Sequence, residues 1–125
     1  RDVNLDYIFK NLWRPYILVA SNSASFDDKE EVAKPSRALR TFPVFLGEVE
    51  EQNIMSLPQA IKRITGDPAQ KFNISNRGFI KEGNFADLVL LKNREIKKVF
   101  VNGILAAEEG RATLKVAGEA IYRTH

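Results

Sequence analysis

The chain of 125 residues contains no cysteine, and its single histidine is the last residue, His125. Without cysteine it has no disulfide framework and no thiolate chemistry. This fits a reducing compartment, and we predict a cytoplasmic location. A histidine in the terminal position is interpreted as part of a tail.

Long apolar runs are also missing. No run approaches the ~20 residues that span a bilayer, and no secretory signal opens the chain, so we predict no membrane partner.

Strong charge of one sign is a further absence, since the net charge is only +3. The densest basic group is Lys92, Arg94, Lys97 and Lys98, with Glu95 among them. A nucleic-acid footprint needs a longer basic run with interleaved aromatic residues. We therefore predict no nucleic-acid partner.

What is present is the composition of a globular protein, with 44% hydrophobic and 28% charged residues. The length suits one domain. The chain begins with Arg1 rather than Met, and we expect it to be part of something longer or a processed product.

The first 76 residues carry α/β patterns. Apolar residues at helical spacing predict a helix over Asn4–Trp13, and Tyr16–Ala20 has the composition of a buried strand. Phe26–Arg37 is charged and irregular, which predicts a surface loop. Two further helices are predicted, one from an N-cap at Thr41 to about Gln52 and one behind a capping box at Ser56.

The same pattern continues briefly. Gly66 is expected to close the helix behind Ser56, and a short helix should follow over Ala69–Phe72.

From Arg77 onward the pattern favours antiparallel strands. Phe79-Ile80 and the apolar run Leu88–Leu91 predict strands on either side of a turn at residues 81–84, the second buried on both faces. Glu95–Val101 predicts a third, and Asn102-Gly103 after it is a type I′ hairpin signal. Glu109-Gly110 predicts another turn, with a last strand or loose tail over 111–123.

Four motifs resemble known sequences when taken together. Residues 77–91 follow the Gly-x-Ile-x-x-Gly-x-x-Ala-Asp-Leu-Val pattern near the C-terminus of the amidohydrolase superfamily. Residues 41–47 resemble the Thr-Phe-Pro-x-x-Leu-Gly motif of the N-acyl-D-amino-acid deacylases, the D-aminoacylase branch. Residues 56–69 and the Val-x-Val-Asn-Gly of residues 99–103 are similar to that branch too. The match covers about residues 16–123.

The resemblance implies a mixed α+β fold that is incomplete. Residues 1–76 would be the C-terminal end of a β/α barrel, with Tyr16–Ala20 its last strand and the later helices on its outside. Residues 77–125 would be the C-terminal, antiparallel strands of a small composite β-sandwich domain. The other sandwich strands would come from the missing N-terminal part.

The resemblance also implies a metal. Zinc or another divalent ion would polarise the scissile amide carbonyl and activate water in the parent enzyme. Its ligands in the family are histidines plus a cysteine or a modified lysine. This chain has one histidine and no cysteine, so we expect no metal in the segment itself.

Asn22 stands where the family has a catalytic residue. After the last barrel strand the family has a Ser-Asp pair whose aspartate acts as general base, and here the pair is Ser21-Asn22. An amide does not accept a proton at neutral pH, although it can hydrogen-bond a water or ligand. Altered chemistry, a catalytically dead relative, a deliberate substitution and a purely structural loop asparagine all remain open.

Arg37 is the candidate substrate-binding residue. The family's His-Pro-Arg is Pro35-Ser36-Arg37 here, so only the arginine matches. An arginine can hold a carboxylate with two hydrogen bonds, and the substrates of the branch carry one; a surface arginine is the alternative. Arg40 replaces the family's glycine before Thr-Phe-Pro.

We therefore predict part of a metal-dependent amidohydrolase acting on small N-acyl amino acids, with no hydrolysis by the segment alone. The alternative is a non-catalytic, self-associating structural module. In either case exposed strand edges predict homo-oligomers or association with the missing N-terminal part.

Overall fold

The computed structural model describes residues 5–12, 14–22, 36–93 and 95–122. It divides into two compact units, residues 1–64 and residues 65–125, called here the helical unit and the sheet unit. Over the described residues the elements in chain order are α1 Leu5–Asn11, α2 Ser36–Glu51, α3 Leu57–Ile64, α4 Gly66–Lys71, β1 Leu88–Lys92, β2 Glu95–Val101, β3 Ile104–Glu108 and β4 Arg111–Ala112. The mixed α+β class is confirmed.

The helical unit has a small core built on α2. Phe45, Leu46 and Val49 are buried at helical spacing, which is the apolar stripe that the sequence predicted. Leu12 and Ala60 are the other buried apolar residues of this unit among those described.

One of the two reciprocal bonds of the predicted capping box is present at the start of α3. The backbone N–H and the hydroxyl of Ser56 both lie 2.9 Å from Gln59 Oε1. The side chain of the third helical residue thus satisfies the backbone donor at the cap, as this motif requires.

Two predicted helix boundaries are wrong. Thr41 is not an N-cap, because α2 begins at Ser36 and runs through Thr41 and Pro43. The residues before Thr41 include good helix formers, and they extend the helix although Pro43 removes one of its hydrogen bonds. Gly66 does not close α3; it opens α4.

The predicted strand Tyr16–Ala20 is also wrong, since Tyr16 lies in a turn and residues 17–20 have no regular secondary structure. A parallel strand needs a neighbour to share its hydrogen bonds, and the described part of the chain supplies only the sheet β1–β4. The predicted loop over Phe26–Arg37 falls mostly outside the described residues, as do Trp13 and His125.

The sheet unit contains one antiparallel sheet with the strand order β1-β2-β3-β4. The register is set by the pair Val89↔Val99 between β1 and β2 and by the pair Val99↔Ala107 between β2 and β3. Each of these two strand pairs has one bulge. Asn102 and Gly103 have φ of 50° and 79°, so the predicted type I′ turn joins β2 to β3. The predicted turn at Glu109-Gly110 is present too. Of the segment 111–123, predicted as a last strand or a loose tail, only Arg111–Ala112 forms a strand, and residues 113–122 have no regular secondary structure.

Phe79-Ile80 forms no strand, contrary to the prediction. Gly78 has a φ of 84°, and a Cβ there would lie 2.6 Å from the Cβ of Ala69 on α4. The chain therefore packs against α4 at a position that only glycine fits. The following turn is closed by Asn84, whose Nδ2 donates to the carbonyl of Phe79 at 2.9 Å.

β1 is a strand as predicted, but it is not buried on both faces. Leu88, Val89 and Leu90 are 37%, 53% and 53% exposed. β1 lies at one edge of the sheet, and within the described residues it pairs only with β2. Its apolar sequence is thus that of a covered strand, while in this chain its side chains reach solvent.

Candidate functional site

Asn22 follows α1 in a stretch, residues 17–22, that has no regular secondary structure. It is exposed, and it is not among the described asparagines with a positive φ. No described carboxylate, histidine and cysteine side chains gather into a group able to hold a metal ion there or elsewhere in the part of the chain that the structure covers.

The segment that leads to Asn22 is held by Arg63 of α3. Nη1 of Arg63 donates to the carbonyl oxygen of Arg14 at 2.7 Å and to that of Ile17 at 3.3 Å. The turn itself is closed by the Ile17 N–H, which donates to the carbonyl of Arg14 at 3.1 Å. One guanidinium nitrogen of Arg63 thus satisfies two backbone carbonyl groups of this turn. No local sequence pattern signals this contact, since Arg63 lies far from the turn along the polypeptide.

Arg37 lies in the first turn of α2, and its side chain is outside the described part of the structure. The joint role of Asn22 and Arg37 in one site therefore stays a prediction. Both positions belong to the helical unit.

The best-defined polar cluster lies in the sheet unit, where Arg77 contacts three residues. Its Nη1 forms an ion pair with Asp87 Oδ2, and its Nη2 donates to Asn102 Oδ1 at 2.8 Å. The guanidinium carbon lies 4.1 Å from the centre of the Phe85 ring, which adds a cation–π contact. The Arg77 side chain is 12% exposed.

Asp87 and Asn102 complete the cluster. Asp87 Oδ1 accepts the backbone N–H of Asn102 at 2.8 Å, and Asn102 Nδ2 donates to the carbonyl of Ala117 at 2.7 Å. Next to it, the N–H of Gly103 donates to the carbonyl of Ala86 at 3.0 Å. We call Arg77, Asp87 and Asn102 the clasp, because together they tie the segment before β1 to the β2–β3 turn and to the tail.

The clasp sets the protonation of Asp87. Burial alone would raise the pKa of its carboxyl group, but the hydrogen bond from the Asn102 N–H and the charge and hydrogen bond of Arg77 outweigh burial and lower the pKa. Asp87 is therefore ionised at neutral pH. With both oxygens already engaged, it is suited to structure rather than to proton transfer.

An open depression of about 610 Å³ lies beside the clasp. Gln70, Asn73, Asn76 and Asn84 give it amide groups, and Arg77 and Lys81 give it positive charge. Its lining contains no carboxylate, histidine or cysteine. The Ser75 hydroxyl also lines it, but a serine needs an adjacent general base to act as a nucleophile, and this lining offers no carboxylate or imidazole for that role.

No family model matches the chain. Its structural relatives are more informative. A D-aminoacylase solved in a study of its binuclear metal centre superposes on 97% of this chain with a TM-score of 0.83 and 24% identity. A second D-aminoacylase structure, described as defining a subset of amidohydrolases, matches 72% of the chain with a TM-score of 0.64 and 28% identity. The fold is that of a segment of D-aminoacylase.

The resemblance drawn from the sequence motifs is thereby confirmed at the level of fold. The chain spans only 28% and 23% of the lengths of these two D-aminoacylases. It is thus similar to about a quarter of a D-aminoacylase, and the activity of a whole enzyme does not transfer to it directly.

Curated relatives match shorter stretches. A dihydroorotase of Endomicrobium trichonymphae is 38% identical over 48 residues, and alpha-D-ribose 1-methylphosphonate 5-triphosphate diphosphatase of Escherichia coli is 46% identical over 46 residues. Adenine deaminase 1 of Carboxydothermus hydrogenoformans is 31% identical over 61 residues. These stretches are 38%, 37% and 46% of this chain but only 11%, 12% and 10% of the relatives' lengths. With the D-aminoacylases, they support a hydrolase family.

Among the described residues, no helix is long and apolar enough to cross a membrane.

Proposed function

We propose that this chain is the C-terminal part of a metal-dependent amidohydrolase that hydrolyses the N-acyl amide bond of D-amino acids. The observation that carries the proposal is the superposition of 97% of the chain on D-aminoacylase. The Thr-Phe-Pro and Ser-Leu-Pro-Gln motifs of that branch support it at the residue level. In the parent, residues 1–76 would complete a β/α barrel and residues 77–125 a composite β-domain.

The residues of this chain do not fit a metal site. The described part offers no group of three or more potential ligands, and the whole sequence has one histidine and no cysteine. We infer that zinc or another divalent ion in the parent is held by side chains outside this chain. The segment alone should then not hydrolyse amides.

This chain would contribute Asn22 and Arg37 to the proposed site. Asn22 would lie at the general-base position, where its carboxamide can hydrogen-bond a water or the substrate but cannot accept a proton. Arg37 would bind the substrate carboxylate through paired N–H groups. Arg63 would fix the turn that leads to Asn22 through its bonds to Arg14 and Ile17.

The test uses the longer native polypeptide that contains this segment and the 125-residue chain, each with N-acetyl-D-amino acids and their L enantiomers. We expect D-selective hydrolysis by the longer polypeptide and none by the chain. Asn22→Asp in the longer polypeptide should raise kcat by about 10²-fold or more, because a positioned general base contributes that much. Serine in the same place, Asn22→Ser, should not.

Hydrolysis by the 125-residue chain would overturn the proposal for the segment. Absence of hydrolysis in the longer polypeptide, with and without Asn22→Asp, would overturn the proposed activity.

A second candidate, the self-associating structural module, is favoured by one observation. β1 is an edge strand whose Leu88, Val89 and Leu90 are exposed, and unpaired apolar edges promote strand-to-strand association. We expect dimers or larger assemblies of the isolated chain. Leu90→Lys should reduce them, because an edge lysine opposes pairing, and Leu114→Lys, at a residue 90% exposed in the tail, should not. Light scattering showing a monomer at micromolar concentration would contradict this candidate.

A further inference from the structure

The Asn102-Gly103 turn carries a chemical liability that the proposed function does not use. Asparagine is among the thermally labile residues, and a following glycine has no side chain to hinder attack by its backbone nitrogen. The Gly103 nitrogen would bond to Cγ of Asn102 and give up its proton, and the bond from Cγ to Nδ2 would break with loss of ammonia. Water would then open the resulting succinimide to aspartate or isoaspartate, so no oxidant or other reactant is needed.

In this structure both reacting groups are held. The Gly103 N–H donates to the carbonyl of Ala86 at 3.0 Å. The Asn102 carboxamide accepts from Arg77 at 2.8 Å and donates to Ala117 at 2.7 Å. Bringing the Gly103 nitrogen to Cγ of Asn102 therefore requires these hydrogen bonds to break.

We propose that Asn102 is a deamidation site whose rate is controlled by the clasp of Arg77, Asp87 and Asn102. While the clasp is closed, the attacking nitrogen and the attacked carboxamide are both occupied, and the reaction proceeds only from the locally opened state. Arg77 is the central residue, because it holds Asn102 and Asp87 at once.

The rate is measured by incubating the 125-residue chain at neutral pH and mapping tryptic peptides by mass spectrometry. Trypsin releases residues 99–111 as one peptide, since it cleaves after Lys98 and after Arg111. We expect Asn102 in the folded chain to deamidate at least ~10-fold more slowly than in the free peptide, because only the opened state reacts. In Arg77→Met the rate should rise toward that of the free peptide.

Lys97→Met is the matched control. Lys97 also carries ion pairs on the hairpin, to Glu95 and Glu109, but it does not belong to the clasp. If Arg77→Met fails to fold by circular dichroism, Arg77→Lys, which keeps the charge and loses the fork, takes its place. A wild-type rate equal to that of the free peptide would overturn the proposal. So would a folded Arg77 variant with the rate of Lys97→Met.

Deamidation of Asn102 should weaken the clasp. An aspartate at 102 has no donor for the carbonyl of Ala117, and it adds a negative charge beside Asp87. Hydrogen exchange of the Gly103 amide should therefore be faster in Asn102→Asp than in Asn93→Asp, which alters an asparagine that also has a positive φ but belongs to another turn. Equal exchange in the two variants would contradict this second part.

Discussion

Different interactions stabilise the interior of the helical unit and the interior of the sheet unit. In the helical unit Leu12, Phe45, Leu46, Val49 and Ala60 are buried, whereas Ala69 is the one buried apolar side chain among the described residues of the sheet unit. The sheet unit instead has strand pairing, type I′ geometry and the clasp. One unit therefore depends on apolar burial, and the other depends on directed polar contacts.

The difference also shows where apolar surface is left over. Val89, Leu90 and Ile80 of the sheet unit are 53%, 53% and 93% exposed. Side chains of this kind normally lie under a second layer of structure. This agrees with our proposal that the sheet unit is one share of a composite domain.

The largest expected effect is in the helical core. Phe45→Ala should lower the free energy of unfolding of the helical unit by about 3–5 kcal/mol, because a buried aromatic side chain leaves a cavity. Phe42→Ala on the same helix, at a residue 38% exposed, should cost far less. Chemical denaturation followed by circular dichroism measures both, and equal losses would contradict a core on this face of α2.

The next effect should appear in the sheet unit. Arg77→Met removes hydrogen bonds to a carboxylate and to Asn102, and we expect a loss of about 1.5–3 kcal/mol. Lys98→Met, which breaks only the exposed ion pair to Glu108, should change little. Hydrogen exchange should show faster exchange of the Gly103 amide but no change in the helical unit. Faster exchange confined to the helical unit would contradict the division.

A smaller effect is expected at the α3 cap. Ser56→Ala should destabilise the helical unit by about 1 kcal/mol, since loss of a capping side chain has that cost. Ser75→Ala, at an exposed serine of the sheet unit, is the control. Thermal unfolding measures both variants. An unchanged midpoint for Ser56→Ala would show that the contact of the Ser56 hydroxyl with Gln59 does not stabilise α3.

The smallest effect is a pH dependence of the sheet unit. The pKa of Asp87 is lowered in the folded state, so its stabilisation is present above the unfolded pKa of about 3.9 and is lost as pH falls through the folded value. Because the side chain is 34% exposed, solvent screening should keep this share below about 1 kcal/mol. The stability difference between wild type and Asp87→Asn should shrink from about pH 6 to about pH 3. A constant difference would argue against the lowered pKa.

The sequence predicted local features better than burial and long-range contacts. The bond from the Ser56 N–H to Gln59 in the capping box and the Asn102-Gly103 turn are determined by neighbouring residues, and both are present. The strand at Tyr16–Ala20 requires a neighbour that the described residues lack, and burial of β1 requires a covering layer. The contact from Arg77 to Asn102 spans 25 residues, and no local pattern encodes such a distance.

Gly78 and Asp87, which belong to the motif of residues 77–91, both have structural roles. Gly78 is required by its positive φ and by contact with α4, and Asp87 is required by the clasp. The stretch that carries the sequence resemblance thus has a structural role. The catalytic prediction rests on Asn22 and Arg37, whose roles depend on residues outside this chain.

The most direct test of the central claim is the metal content of the purified 125-residue chain, measured by elemental analysis after incubation with zinc and exhaustive dialysis. We expect no stoichiometric metal, because the described residues offer no ligand group and the chain has one histidine and no cysteine. One tightly held zinc ion per chain would contradict our proposal that the metal ligands of the parent lie outside this segment.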